Sequence, residues 1–122
     1  MNVDFIREFC LNFPKAKETL QWGETLCFKI AGSKIFAMLS LDAVPPTLTL
    51  KTDPEQFAEL LEQEGIVPAR YVGRYKWVTL ERLDVLPRHE LEALITTSYS
   101  MVAQSLPKKK KLTSKRKPKA KR

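Results

Sequence analysis

The feature that most restricts the fold is a pair of apolar, β-prone runs at residues 26–30 and 35–41, separated by a short segment around Gly32. Such runs on either side of a glycine predict a β-hairpin, because glycine adopts the positive φ that a tight reversal requires. An isolated hairpin is only marginally stable in water, so one of its faces has to pack against other elements. We therefore expect the rest of the chain to supply further strands and helices.

Two segments near the ends of the chain have helical patterns. Apolar residues recur at helical spacing over residues 5–13, where Asn2 is a potential N-cap and Pro14 ends the helix. A longer helix is predicted to begin after Pro87 and to end at Pro107, with leucine, isoleucine and valine side chains along one face.

A central helix carries a clear start signal. Asp53, Pro54 and Gln56 are the N-cap, first-turn proline and capping-box residue of this helix, and Gly65 is predicted to be its left-handed C-terminal residue. The alternating residues 47–51 before it predict a third strand with one wet face.

A second hairpin is predicted between residues 69–72 and 75–80, with its turn at Gly73. Residues 15–25 have no clear pattern beyond a turn and an extended run towards Trp22. The predicted order is helix, three strands, helix, two strands, helix. Adjacent strands without crossover helices predict an α+β domain with an antiparallel sheet and helices on one side.

Charge divides the chain into two parts. Residues 108–122 contain ten of the 21 basic residues and none of the 14 acidic ones, so residues 1–107 carry a net charge of −3. The chain is therefore interpreted as one domain, residues 1–107, followed by a disordered basic tail, residues 108–122. The 43% hydrophobic content suits a globular protein, and no apolar run is long enough to span a membrane. A cytoplasmic protein is expected.

Short motifs along the domain occur in a recognisable order. They are Trp22-Gly23, residues 28–32, Phe36-Ala37, Leu50-Lys51, Asp53-Pro54, residues 68–71, residues 75–78 and Ser98-Tyr99. In this order and spacing the chain resembles the MmcQ/YjbR family of small bacterial proteins over nearly all of residues 1–107. The resemblance implies a two-layer α-β(3)-α-β(2)-α fold, related to secretion-chaperone-like and frataxin-like architectures. It also implies a "double wing" DNA-binding arrangement in which two hairpins project as wings.

Basic residues in the hairpins are the first candidate for a nucleic-acid interface. Residues 26–41 and residues 66–80 contain basic residues and no acidic ones. A β-ribbon with basic side chains can enter a groove or follow phosphates. The plainer explanation is that acidic residues avoid strands and prefer helix starts. The candidate residues are Lys29, Lys34, Arg70, Arg74 and Lys76 in the hairpins, and Lys108, Lys109, Lys110, Lys111, Lys115, Arg116 and Lys117 in the tail.

Four aromatic residues lie in or near the hairpins, namely Trp22, Tyr71, Tyr75 and Trp77. They could stack on nucleic-acid bases, but we expect them to pack in the core and across strands. The basic tail could bind DNA or another polyanion, and a solvated, solubilising tail is the alternative.

Few residues of the chain are suited to catalysis or metal binding. His89 is the only histidine and is predicted to lie on a helix surface, and the two cysteines, Cys10 and Cys27, are predicted to be buried, reduced thiols. These residues cannot build a common zinc site, and no glycine-rich phosphate loop is present. An acidic metal-binding ridge on the helices is a minor possibility; its residues are Glu62, Glu64, Glu90 and Glu92.

The sequence therefore predicts a non-enzymatic binding protein without cofactor, catalytic residue or metal site. The leading hypothesis is DNA binding through two basic hairpins and the tail. The alternative is a protein-binding adaptor that uses sheet or helix faces, as the chaperone-like architecture implies.

Overall fold

The computed structural model of the chain describes residues 2–30, 34–70 and 72–105. Over these residues the chain forms an α+β fold, as predicted, with one antiparallel sheet and three α-helices. The helices are α1 (Val3–Leu11), α2 (Pro54–Leu60) and α3 (Arg88–Gln104). The strands are β1 (Ala16–Gln21), β2 (Thr25–Ile30), β3 (Lys34–Ser40), β4 (Thr47–Lys51), β5 (Ile66–Pro68) and β6 (Trp77–Leu80). The predicted basic tail, residues 108–122, lies outside the described residues.

The sheet has the strand order β1-β2-β3-β4-β6-β5, and every neighbouring pair is antiparallel. The predicted hairpin at the start of the chain is confirmed, since β2 pairs with β3. Its turn, residues 31–33, lies outside the described residues.

One face of the sheet packs against the helices and forms the core. Because side chains alternate along a strand, every second residue of each central strand points into this face, except at an irregularity in β3 where both Phe36 and Ala37 are buried in the core. The buried strand residues in the core cluster are Phe28, Ile30, Phe36, Ala37, Leu39, Leu48, Leu50, Ile66, Val78 and Leu80. Helix residues complete the same cluster, among them Ile6 and Cys10 of α1 and Leu91 and Ile95 of α3.

The first two helices begin at the predicted caps. The side chain of Asn2 accepts a hydrogen bond from the backbone N–H of Phe5 at 2.8 Å. Asp53 accepts one from the N–H of Gln56 at 2.8 Å, and the Gln56 side chain completes the capping box. These bonds satisfy backbone donors that a helix N-terminus leaves without intrahelical partners.

Helix α2 is shorter than predicted, because it ends at Leu60 and not at Gly65. Gly65 does adopt a positive φ, +92°, but it does so in the turn that leads into β5. A Cβ atom at this position would lie 2.9 Å from Cγ2 of Val85, so both the backbone and the packing favour glycine here.

The structure has a further strand where the sequence predicted only a turn and an extended run towards Trp22. Residues 16–21 form β1, an edge strand that pairs with the whole length of β2. The sequence gives no clear strand pattern here, because both faces of β1 are partly exposed to solvent and only Ala16 and Leu20 are apolar. Four strands, not three, therefore precede α2.

The second hairpin is present, but its predicted position was wrong. The strand that pairs with β6 is Ile66–Pro68, upstream of the predicted residues 69–72. Residues 73–75 form a 3₁₀ turn, and Lys76 closes it with a left-handed φ of 70°. The connection between β5 and β6 is thus a compact loop rather than a tight turn at Gly73.

A buried serine joins α3 to the centre of the sheet. The Ser98 hydroxyl donates to the carbonyl of Phe36 at 2.6 Å and accepts from the N–H of Lys51 at 3.0 Å. Phe36 lies at an irregularity in the β2–β3 register, where the ladder shifts after Phe28. The Ser98 side chain thereby links β3, β4 and α3 at the point where ladder bonding is interrupted.

Helices α1 and α3 run in the same direction across the sheet. Near their starts, the guanidinium of Arg88 lies 4.4 Å from the ring centroid of Phe5. Further along, Tyr99 stacks on Phe13 and its hydroxyl donates to the carbonyl of Pro14 at 2.7 Å. Both helices therefore end beside the start of β1. Among the helices that the structure describes, none has the length and apolar character needed to cross a lipid bilayer.

Candidate nucleic-acid interface

The two ends of the sheet differ in charge. At one end, β1, β3 and β6 begin and β2, β4 and β5 end, as the antiparallel pairings require. We call it the basic end, because eight of the 11 basic residues of the domain lie there. They are Lys15, Lys17, Lys29, Lys34, Lys51, Arg70, Arg74 and Lys76.

The three remaining basic residues are arginines that pair with carboxylates. Arg7 Nε donates to Glu18 Oε1 at 2.8 Å, and this contact lowers the pKa of Glu18. The other two pairs join Arg82 to Asp84 and Arg88 to Glu92, each at 3.2 Å. These pairs are exposed in part, so each stabilises the fold only slightly. They do, however, neutralise the basic side chains that lie away from the basic end.

The basic end has a different environment. Within the described residues, its lysines and Arg74 form no ion pair with a carboxylate. Asp53 and Glu55 begin α2 at this end, and Asp53 is engaged as the helix cap. The basic end therefore carries several cations that form no direct ion pair within the part of the chain that the structure describes.

Three of these cations lie over aromatic rings. Lys51 Nζ is 5.9 Å from the ring centroid of Trp77, and the Arg74 guanidinium is 5.0 Å from that of Tyr75. Lys76 Nζ is 5.0 Å from the ring of Phe57, on α2. All three distances are within the range of cation–π attraction, which orients the side chains without removing their charge.

The five hairpin residues predicted from the sequence all lie at the basic end. Lys34 is the exposed first residue of β3, Lys29 is half-buried in β2, and Arg70, Arg74 and Lys76 lie in or beside the loop before β6. Lys29 and Lys34 therefore belong to the β2–β3 hairpin, and Arg70, Arg74 and Lys76 to the connection between β5 and β6 of the same sheet. The seven predicted tail residues, Lys108 to Lys111 and Lys115 to Lys117, lie outside the described residues.

Sequence reasoning missed three members of the basic end, Lys15, Lys17 and Lys51. Lys15 directly precedes β1 and Lys17 is its second residue, in a segment that had no clear pattern, and Lys51 was assigned only to the end of a strand. The register supplies the missing signal, because it places Lys17 opposite Lys29 and Lys51 opposite Trp77.

The second face of the sheet, which we call the open face, is not covered by the helices. Its side chains are those that alternate with the core positions. On the central strands they include Cys27, Lys29, Met38, Thr49, Lys51, Trp77 and Thr79. None of these seven side chains is acidic. The hydroxyl oxygens of Thr49 and Thr79 lie 2.9 Å apart, within hydrogen-bonding distance.

Two of the aromatic residues expected to pack are exposed. Trp22, in the β1–β2 turn, is 67% exposed, and Tyr75 is 55% exposed, so the prediction of core packing was wrong for both. Trp77 is half-buried on the open face beside Lys51. Tyr71 lies outside the described residues.

Both cysteines are buried and unpaired, as predicted. Burial raises the pKa of the Cys10 thiol to about 12. The pKa of the Cys27 thiol is also raised by burial, although the nearby charge of Lys29 opposes this shift. Raised thiol pKa values make both side chains weak nucleophiles.

The described residues contain no group of three or more histidine, cysteine or acidic side chains that could hold a metal ion. His89 lies on the surface at the start of α3, as predicted, with its side chain 82% exposed. A shallow cleft of about 500 Å³ is lined by Asn2, Phe5, Asp84, Leu86 and Arg88. The cleft lies at the end of the sheet opposite the basic end.

The YjbR family model matches residues 11–101, which include β1, the rest of the sheet and most of α3. The chain belongs to the YjbR family. It is 29% identical over 115 residues to the uncharacterized protein YjbR of Escherichia coli, a match that covers 91% of this chain and 95% of the relative.

Two solved structures share this YjbR-family fold. The crystal structure of a Deinococcus radiodurans protein with a DUF419 domain has a TM-score of 0.78 and 31% identity, and the match covers 85% of this chain and 80% of that one. The crystal structure of a Pseudomonas syringae protein has a TM-score of 0.69 and 21% identity, with 84% and 99% covered. The second likeness concerns the fold alone.

Proposed function

We propose that this YjbR-family chain is a non-enzymatic DNA-binding protein whose contact surface is the basic end of the sheet. The observation that carries the proposal is the concentration of eight cations at one end, while the three other arginines are paired with carboxylates. Among the described residues the six lysines and Arg74 at this end form no ion pair with a carboxylate, so they are available to displace the counterions of a phosphate backbone, a large source of protein–DNA affinity.

The domain itself carries a net charge of −3, so long-range attraction does not supply the affinity. Binding depends instead on local contacts at the basic end, and the ten basic residues of segment 108–122 add sequence-independent attraction. The described part of the chain ends with α3, whose last turns lie beside the start of β1 and therefore near the basic end.

The test compares two double variants of equal net charge by titration with duplex DNA at several salt concentrations. Lys34→Ala with Arg74→Ala removes two exposed cations from the basic end. We expect weaker binding and a salt slope that falls by about 0.9 for each phosphate that is no longer neutralised.

Arg82→Ala with Arg88→Ala is the matched control, because it removes two cations that lie away from the basic end, one after β6 and one at the start of α3. We expect it to keep the wild-type salt slope. Equal weakening in the two double variants would show that only total charge matters, and would contradict a contact surface at the basic end.

A second candidate, a protein-binding adaptor, is favoured by exposed apolar side chains at the opposite end of the sheet. Leu20, Trp22 and Val44 are 58%, 67% and 96% exposed and lie in or near the turns that follow β1 and β3. Burial of such residues against a partner responds little to salt, whereas DNA binding weakens steeply with salt. Salt dependence therefore separates the two candidates.

A further inference from the structure

The open face carries a transverse row of side chains at its basic end. From β1 towards β6 the row contains Lys17, Lys29, Ile35, Lys51 and Trp77. Lys17 pairs with Lys29, Lys29 pairs with Ile35, and Lys51 pairs with Trp77. On the core side, the Ser98 hydroxyl bonds to the backbone of Phe36 in β3 and of Lys51 in β4. These bonds fix the position of Lys51 along its strand relative to Ile35, the neighbour of Phe36.

The pairing of Lys17 with Lys29 is unfavourable in isolation. Directly opposite residues on neighbouring strands have Cβ atoms about 5 Å apart, and like charges at this distance repel. Among the described residues neither lysine has a carboxylate partner, and the only carboxylate of β1, Glu18, points to the other side and pairs with Arg7. A bound anion between the two lysines would remove this repulsion.

The other end of the row presents an aromatic ring beside a cation. Trp77 is half-buried, so part of its indole remains accessible, and Lys51 Nζ lies 5.9 Å from the ring centroid. An aromatic ring next to cations suits a nucleotide, because the ring stacks on a base while the cations contact phosphates. An acidic peptide would use the lysines but would gain little from the indole.

We propose that the open face binds single-stranded nucleic acid, with phosphates at Lys17, Lys29 and Lys51 and a base stacked on Trp77. Strands in a sheet lie about 4.8 Å apart, so the row extends about 19 Å across five strands, enough for several nucleotides. The bases of a duplex are stacked and paired, and therefore cannot reach Trp77. The inference rests on the proposed nucleic-acid function and specifies the form of its ligand.

The experiment uses the full chain with Trp22→Phe, which leaves Trp77 as the only tryptophan. The probe is an oligothymidylate of about 12 nucleotides, within the usual site sizes of single-strand binders, and the comparison is a duplex of the same length. We expect saturable quenching of Trp77 fluorescence by the single strand and tighter binding of the single strand than of the duplex. Lys29→Ala is expected to lower the single-strand salt slope by about 0.7.

Trp77→Leu is expected to weaken single-strand binding by about tenfold to a hundredfold, the range for removal of one base stack. Trp22→Leu is the matched control, an exposed tryptophan at the opposite end, and is expected to bind like the wild type. Should Trp77→Leu not fold, the fluorescence titration of the Trp22→Phe chain decides the question alone.

Unchanged Trp77 fluorescence on saturation, or equal affinity for single strand and duplex, would overturn the inference. Duplex binding that still depends on Lys34 and Arg74 would leave the proposed function intact. Absence of binding to both probes at low salt would contradict the proposed function as well.

Discussion

The thiol of Cys10 is fully buried in the core, and burial raises its pKa from 9.0 to about 12. In the unfolded chain this thiol ionises near its ordinary value, so the unfolded state releases its proton first as the pH rises. The contribution of Cys10 to the free energy of unfolding is complete below about pH 9 and disappears as the pH rises towards 12.

We predict that Cys10→Ala makes the protein less sensitive to alkaline pH. Wild-type stability should fall between about pH 9 and pH 11 by up to about 1.4 kcal/mol per pH unit for this group, and the variant should lack this decrease. Denaturant unfolding at both pH values measures the difference. The variant should be less stable than the wild type near pH 7, because the substitution removes buried volume. An identical alkaline decrease in both proteins would contradict burial of an intact thiol.

Lysines at strand ends show which residue positions could be predicted from the sequence. The cations Lys29 and Lys34 were identified because a strong apolar pattern surrounds them. Lys17 was missed because its strand has no apolar period, since neither of its sides faces the core over its full length. The role of Lys51 depends on its neighbour across the sheet, Trp77, which comes from a distant part of the chain.

At the level of elements, local signals predicted most helices and strands correctly. The capping box at Asp53 and the proline before α3 act within one helical turn, so the sequence alone predicts where both helices begin. The strand before the second turn was predicted at residues 69–72, but β5 is Ile66–Pro68. The error arose because Gly73 was taken as the centre of a tight turn, whereas it begins a 3₁₀ turn. A three-residue strand is stabilised by pairing with β6 and carries little signal of its own.

The link between α3 and the sheet depends on Ser98, and we predict that Ser98→Ala destabilises the protein by about 2–4 kcal/mol. The change leaves the N–H of Lys51 and the carbonyl of Phe36 without their partner, and each unsatisfied buried group costs about 1–3 kcal/mol. The melting temperature should fall by at least about 8 °C.

Ser100→Ala is the control for this prediction. It lies on an exposed position of the same helix and should change stability by less than about 0.5 kcal/mol. Melting temperatures that do not differ between the two variants would show that the Ser98 hydroxyl has no structural role.

For the whole molecule, we predict that a chain ending at Pro107 keeps its stability but binds duplex DNA more weakly. The buried residues of the described core cluster lie between Ile6 and Val102, and segment 108–122 is basic and low in apolar residues, so we expect its removal to leave this core intact. Removal of their ten positive charges should flatten the salt dependence of binding, by about 0.9 in slope for each phosphate that these residues neutralise in the full chain. Thermal unfolding and a salt titration measure the two effects.

Residual binding by the shortened chain should disappear with the Lys34→Ala and Arg74→Ala changes. A large decrease in stability on shortening would instead show that residues 108–122 pack against the domain. A shortened chain that binds no DNA at low salt would favour the adaptor function.

The separation of charge along the strands gives the domain an electric dipole moment although its net charge is small. Carboxylates such as Glu24, Glu64 and Glu81 lie near one end, and the eight cations lie near the other. A dipole turns in the field of a charged surface, so the molecule would approach a polyanion with one end foremost before any specific contact forms. The same asymmetry predicts that residues 1–107, net negative, would be retained on a cation-exchange resin at low ionic strength, in one preferred orientation.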